Sequence, residues 1–283
     1  SVPAYIEICR EMEKRCPDAI LLNHSNPMAV LCRAMVKYTN INTIGICHGV
    51  QGGIKYAAEI LEVDPHDLSC TWVGTNHYYW LTRVLHRGKD VYPELMRRVY
   101  ENEADEGRRM TRDLSRAYGF QVLYPQDDHA IEFYPWMARA DDPSELPYDM
   151  PDEAEERWSK MPDEEPSAEA PSPEVRKAFM DEYRDLVADV GLPARPSDTL
   201  MGEGLGEMLA SIATGRRTTC VVNIPNGGCV PNLSAHALLE VEGVTDFGGV
   251  RGLQMGEAPP VLKGMLEKRF VWHELVADAA VTG

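Results

Sequence analysis

The chain has 283 residues, an ordinary apolar fraction of 44% and a formal charge of −17. That length makes one large domain or two small ones, and the acidity excludes a general grip on nucleic acid, which needs basic surface to displace counterions. No run of about 18 apolar residues occurs, so no membrane span is expected.

Residues 3–16 carry Tyr5, Ile6, Ile8, Cys9 and Met12 at helical spacing, with Pro17 as the stop. The stretch Ala19-Ile20-Leu21-Leu22 then predicts a buried strand running into Asn23-His24-Ser25-Asn26-Pro27. A helix is expected from Met28 to Tyr38, a strand at Ile44-Gly45-Ile46 that meets Cys47-His48-Gly49, and a helix from Ile54 to Leu61. Thr71-Trp72-Val73-Gly74 reads as a third strand, ending at Thr75-Asn76-His77. Three times within about 55 residues an apolar strand meets a polar cluster, which suggests loops converging on one site at the carboxyl ends of strands.

From Pro93 to Tyr118 the pattern is helical and charged, followed by Asp127-Asp128-His129, Glu132 and the aromatic run Phe133-Tyr134-Pro135-Trp136. Residues 137–172 are proline-punctuated and read as loop, 174–189 as helix, and the acid-rich stretch within 137–200 as a solvated insertion. Gly202 to Thr214 predicts a helix ending at Gly215, Thr218 to Val222 and Leu238 to Val241 predict strands, and a helix is expected after Pro260. Seven cysteines, with no CxxC pair, read as reduced thiols of a cytoplasmic protein. The first residues have neither the basic nor the apolar region of a secretory signal, and the missing initiator Met fits a fragment or a processed chain.

The residues able to do chemistry sit at those strand ends. A Cys47 thiolate and a His77 imidazole suit a borderline divalent metal and leave positions open for substrate; a buried Cys and a surface His are the plain alternative. His48 fits a general acid or a helix cap. Asp127, His129 and Glu132 form D-x-H-x-x-E, a pattern open to acid–base work or to a structural network. Asn26, Asn76, Asn223 and Asn226 offer amides for sugar hydroxyls, and each is also an ordinary turn residue.

Taken in order, these segments resemble glycoside hydrolase family 4. Asn23 to Met28 resembles its Asn-Pro loop, Gly45-Ile46-Cys47-His48-Gly49-Val50-Gln51-Gly52 its Cys-His-x-x-Gln-Gly loop, and Gly74-Thr75-Asn76-His77 its Gly-x-Asn-His loop. Asp127 to Phe133 resembles its later acidic loop, and Val222 to Leu233 its V-N-x-P-N-x-G-x-I-P-N-L stretch, with Val for Ile at 230.

The resemblance implies an NAD- and Mn²⁺-dependent glycosidase, an exception to two-carboxylate hydrolysis. In such enzymes NAD takes a hydride from C3 of the sugar, a base removes the acidified C2 proton, the glycosidic oxygen leaves by elimination, and water addition and hydride return follow. Carried over by position, Cys47 and His77 are the metal ligands, His48 the acid and Asp127 the base. Asn26, Asn76, His129 and Glu132 are substrate contacts, with Asn26 also near the cofactor. Cys-His, in place of Cys-Asp or Cys-Asn, points to unphosphorylated α-glycosides: α-galacturonides first, then α-galactosides or α-glucosides.

The implied fold is α+β. It is the C-terminal substrate and metal domain of a lactate-dehydrogenase-like architecture (residues 29–283), preceded by the last helix and strand of a Rossmann domain (1–28). Because no G-x-G-x-x-G follows a strand, this polypeptide alone is expected to bind NAD poorly, to be inactive and to expose an apolar face. The expected partners are a small carbohydrate and, by resemblance, further copies of the chain, with no nucleic acid or membrane. A hydroxy-acid dehydrogenase relative and a non-catalytic sugar-binding fragment are the alternatives.

Overall fold

The computed structural model describes residues 1–101, 108–123, 127–137 and 204–283, together with Lys177; for Asp127 and Asp128 it describes the backbone alone. The loop expected over 137–172, the helix at 174–189 and the acidic insertion therefore fall outside the described residues, apart from Met137 and Lys177.

Among the described residues, the larger of two sheets holds five strands in the order β1-β2-β6-β7-β8. β1 (Ile20–Asn23) and β2 (Asn42–Gly45) run parallel, which requires a crossover, and α2 (Met28–Tyr38) supplies it. β6 (Thr218–Pro225), β7 (Leu238–Asp246) and β8 (Gly249–Gly252) continue the sheet antiparallel. The outcome is the mixed sheet of an α+β fold.

α2 is buried at Met28, Ala29, Val30, Leu31, Cys32, Ala34 and Met35, more of its circumference than one apolar stripe. The reason is that it lies against the sheet, α1 (Val2–Arg15) and α8 (Pro260–Thr282) together. α8 turns Leu262, Leu266, Phe270, His273 and Ala277 inward at three- and four-residue spacing. Charges fasten it to α2: Arg33 and Lys37 both reach Glu274, and Tyr38 Oη donates to Asp278 at 2.7 Å.

The smaller sheet was only half visible in the sequence. β3 (Leu68–Thr75) is not the end of a βα unit but one arm of an antiparallel hairpin with β4 (Tyr78–His86), and β5 (Lys89–Asp90) completes the sheet. Tyr78, Tyr79, Trp80 and Leu81 are all buried, so β4 has no alternation to betray it. Its free side is covered by residues 121–123, where Leu81 N–H donates to Gln121 O and Leu123 N–H to Tyr79 O.

Among the described residues, the helical stretch 93–118 holds α4 (Tyr92–Glu101) and α5 (Arg109–Tyr118), and the acidic loop, as a correction, carries a short helix, α6 (Asp127–Phe133). α3 (Gly49–Leu61) starts five residues before the apolar run at Ile54, because Gly52 and Gly53 hide its first turns. α7 (Leu205–Thr214) ends at Gly215 in the left-handed conformation, as expected.

Gly52 and Gly53 differ in a way only packing reveals. A Cβ on Gly52 would meet nothing within 4 Å, whereas one on Gly53 would lie 2.0 Å from Leu123 O. Helix propensity favours alanine by about 1 kcal/mol at either position, and overpacking opposes it by about 1–3 kcal/mol at Gly53 alone. Urea denaturation should therefore show Gly52→Ala stabilised and Gly53→Ala destabilised. The same sign for both would contradict this packing.

His273 gives the fold a pH dependence. Burial first, and the Arg269 charge second, push its pKa down to about 4, against the pull of Glu274. The unfolded imidazole titrates near 6.5, so between these values the unfolded chain binds the extra proton. This contribution is complete above pH 6.5 and is lost as the pH falls toward 4, amounting to about 3 kcal/mol. His273→Phe should flatten the fall in Tm over that window, and an unchanged slope would place the titration elsewhere.

Candidate active site

Two loops from different sheets meet. Cys47 follows β2, two residues beyond Gly45 and directly before His48, which occupies the N-cap position of α3 without a side-chain capping hydrogen bond. His77 sits with Asn76 in the two-residue turn of the β3–β4 hairpin. The Cys47 Sγ and His77 Nε2 lie 3.4 Å apart. His77 holds a left-handed backbone at φ 59°, uncommon for any residue but glycine. Gly74 makes the tight turn possible, since a Cβ there would stand 2.3 Å from Tyr78 O.

Burial governs the electrostatics. The Cys47 thiol is pushed up to about 11, by desolvation first and the Glu240 charge second, against N–H groups of Gly49 and His48 and the side chain of Asn76. The His77 imidazole is pushed down to about 4 by desolvation, then by His129 and His48, so its ring stays neutral with a lone pair to give. Glu240, wholly buried, rises to about 7 for lack of water. Asn76 Nδ2 donates to Glu240 Oε2 at 2.9 Å.

Around this pair, His129 stands 5.8 Å from His77 between ring centroids, and Phe133 stands 5.7 Å from it, both carried by α6. His48 is exposed beside His77, near enough for its charge to depress the latter's pKa. Asn26 is exposed in the loop after β1, next to the Cys47 loop because β1 and β2 pair in parallel. Glu132 is exposed on α6, with no hydrogen bond or ion pair to the pair among the described residues. Asp127 opens α6, and its side chain lies outside the described residues.

Asn226 and Asn232 prove structural. The Asn226 amide clamps its turn through Val230 O, Leu233 O and Ser234 O, and Asn232 exchanges two hydrogen bonds with Ala258. Glu240 is the residue that the sequence reading passed over. Its signal was there: a carboxylate inside the apolar strand Leu238-Leu239-Glu240-Val241.

The donor set fits a divalent cation. One cation bound through sulfur at about 2.3 Å and nitrogen at about 2.1 Å spans about 3.1–3.6 Å between them at angles of about 90–110°, and the observed separation is 3.4 Å. Among the described residues no cluster of three His, Cys, Asp or Glu side chains forms.

Residues 72–283 match the Family 4 glycosyl hydrolase C-terminal domain, and residues 1–63 match Family 4 glycosyl hydrolase. The chain belongs to glycosyl hydrolase family 4. It is 30% identical to an alpha-galactosidase of Bacillus subtilis (strain 168), over 100% of this chain and 62% of the relative. It is 26% identical to an alpha-galacturonidase of the same organism, over 100% of this chain and 64% of the relative. The chain thus spans less than two thirds of the length of these curated relatives. Its fold is that of a 6-phospho-alpha-glucosidase from gut microorganisms solved with NAD and Mn²⁺, with a TM-score of 0.66, 21% identity, and coverage of 99% of this chain and 63% of that one. Family 4 membership sets aside the hydroxy-acid dehydrogenase reading. Among the described residues no helix is long and apolar enough to cross a membrane.

Thiolate, not thiol, is the form that alkylates. With metal chelated at pH 7.5, iodoacetamide should modify exposed Cys16 well before buried Cys47, as read by peptide mass mapping. Equal rates would mean that the site is open to solvent.

Proposed function

We propose that this chain forms the metal- and sugar-binding part of an NAD- and divalent-metal-dependent glycosidase acting on unphosphorylated α-glycosides. The observation that carries the reading is the Cys47–His77 pair at 3.4 Å, brought together from the loops of two different sheets. α-Galacturonides are the preferred substrate in this proposal. Support comes from Arg269, which packs over Tyr78 and Phe133, donates to Phe133 O at 2.9 Å, and has no ion-pair partner among the described residues. A half-buried guanidinium one ring away from His77 suits a sugar carboxylate. α-Galactosides are the second reading, favoured by the 30% identity to an alpha-galactosidase; α-glucosides come next.

In this reading Cys47 and His77 hold the cation, the Cys47 proton leaving as it binds. When bound, the cation supplies Lewis acidity at the sugar's C2 and C3 oxygens, and NAD supplies a hydride acceptor. His48 hands a proton to the leaving glycosidic oxygen, Asp127 takes the proton from C2, and His129, Asn76 and Glu132 border the sugar. Asn26 stands at the ligand-binding end of the parallel β1–β2 pair, where the cofactor and sugar meet. For NAD the sequence offers this strand end but no Gly-rich phosphate turn. The protein is proposed to work in the cytoplasm, consistent with its seven free cysteines, and as a homo-oligomer.

The test joins this chain to a complete dinucleotide-binding half and assays α-galacturonides, α-galactosides and α-glucosides with NAD and Mn²⁺. Expected is cleavage that needs both cofactors and falls by at least about 10³-fold in Cys47→Ala. Cleavage unaffected by chelation or by that substitution would reject the metal site.

A further inference from the structure

We propose that Glu240 is the positioning residue of the Cys47–His77 pair, holding the hairpin turn over Cys47 through its hydrogen bond to Asn76. The proposal rests on the metal reading above and adds a residue with no place in it.

Cys47 and His77 belong to different sheets, so nothing in either sheet's own hydrogen bonding sets the distance between them. The link is made at β7. Trp72 Nε1, on β3, donates to the Glu240 carbonyl at 2.8 Å, and Asn76 Nδ2, at the hairpin tip, donates to Glu240 Oε2 at 2.9 Å. One residue of the large sheet thus receives two bonds from one edge of the hairpin, four residues apart. Asn76 and His77 are consecutive, so fixing the amide of one fixes the backbone that aims the imidazole of the other. The left-handed φ of 59° at His77 needs such a restraint, because unrestrained residues leave that region.

Stability alone gives no reason for a carboxylate here. Glu240 has no exposed surface, and its Oε1 has no hydrogen-bond partner among the described residues. Asn223, directly across the ladder, is equally buried and close enough for its side chain to lower the Glu240 pKa, yet its amide completes no hydrogen bond of ordinary geometry among the described residues. A buried polar group left half-satisfied is destabilising, and an apolar residue of the same shape would serve packing better. Asn223 and Glu240 are both fully buried and are joined to the two-ligand pair through Asn76. Outer-shell partners that orient metal ligands occupy such places, and their loss typically weakens metal affinity about 10–100-fold.

The experiment is a Co²⁺ titration of the full chain, read by the thiolate-to-cobalt charge-transfer band, with thermal melting alongside and Mn²⁺ as competitor. Glu240→Ala should weaken Co²⁺ binding about 10–100-fold. Glu240→Gln, which keeps an acceptor oxygen for Asn76, should stay close to wild type. Asn76→Ala removes the same bond from its other end together with the amide's contact to Cys47, so it should weaken binding at least as much as Glu240→Ala, and it carries the test if Glu240→Ala does not fold. The double variant should be no weaker than the worse single one, since both remove one interaction. A merely structural Glu240 would lower Tm and leave the affinity of the folded protein unchanged; that result, or fully additive losses, overturns the proposal. A wild-type chain without the band would overturn the metal reading itself, and this proposal with it.

Discussion

The arrangement of this molecule depends on two hydrogen bonds that end on one residue. Trp72 and Asn76 reach from the small hairpin sheet to the carbonyl and the carboxylate of Glu240 in the large one. Each sheet satisfies its own backbone groups without the other, so their relative placement is decided where side chains cross between them. The apolar contacts there give most of the adhesion and little direction, because burial of apolar area is not directional. Hydrogen bonds with fixed donors and acceptors set the register, and here they set it at the point where Cys47 and His77 meet.

The same burial that makes the joint expensive prepares the pair for a cation. Out of water, the thiol keeps its proton, the imidazole refuses one, and the carboxyl behind them is held near neutrality. Without metal the pair is therefore almost uncharged, which a dry interior tolerates. A divalent ion would reverse the balance by stabilising the thiolate and accepting the imidazole lone pair, and its binding would release a proton. Affinity would then rise with pH, as expected where a ligand must first lose its proton. Exposed His48 and half-buried His129 stand outside this dry core.

Much of the fold was legible wherever one element meets water on one side. α1, α7 and the strands at 19–22 and 218–222 follow from apolar spacing, a stopping Pro or Gly, and β-branched runs. α2 was legible in its bounds, from Met28 to Tyr38, though not in its near-complete burial. The elements that escaped are those buried on both faces or built on glycine. β4 shows four consecutive buried residues and no alternation, the first turns of α3 contain Gly52 and Gly53, and β8 is Gly-Val-Arg-Gly. In each case the local signal is weak, and the structure is imposed by neighbours.

The amino-acid sequence by itself determined the chemistry on offer: a thiol and an imidazole in short polar loops, an acidic surface, and the motif order that marks family 4. It could not decide distances, because residues 47 and 77 are brought together by the docking of two sheets and not by spacing along the chain. It could not sort the asparagines either. Asn226 reads like Asn76, yet one clamps its own turn and the other binds a buried carboxylate. Glu240 was visible only as a charge in an apolar strand. Its importance comes from being dry and from facing the hairpin, and both are properties of the packed molecule, since desolvation and hydrogen-bond partnership exist only once distant segments have met.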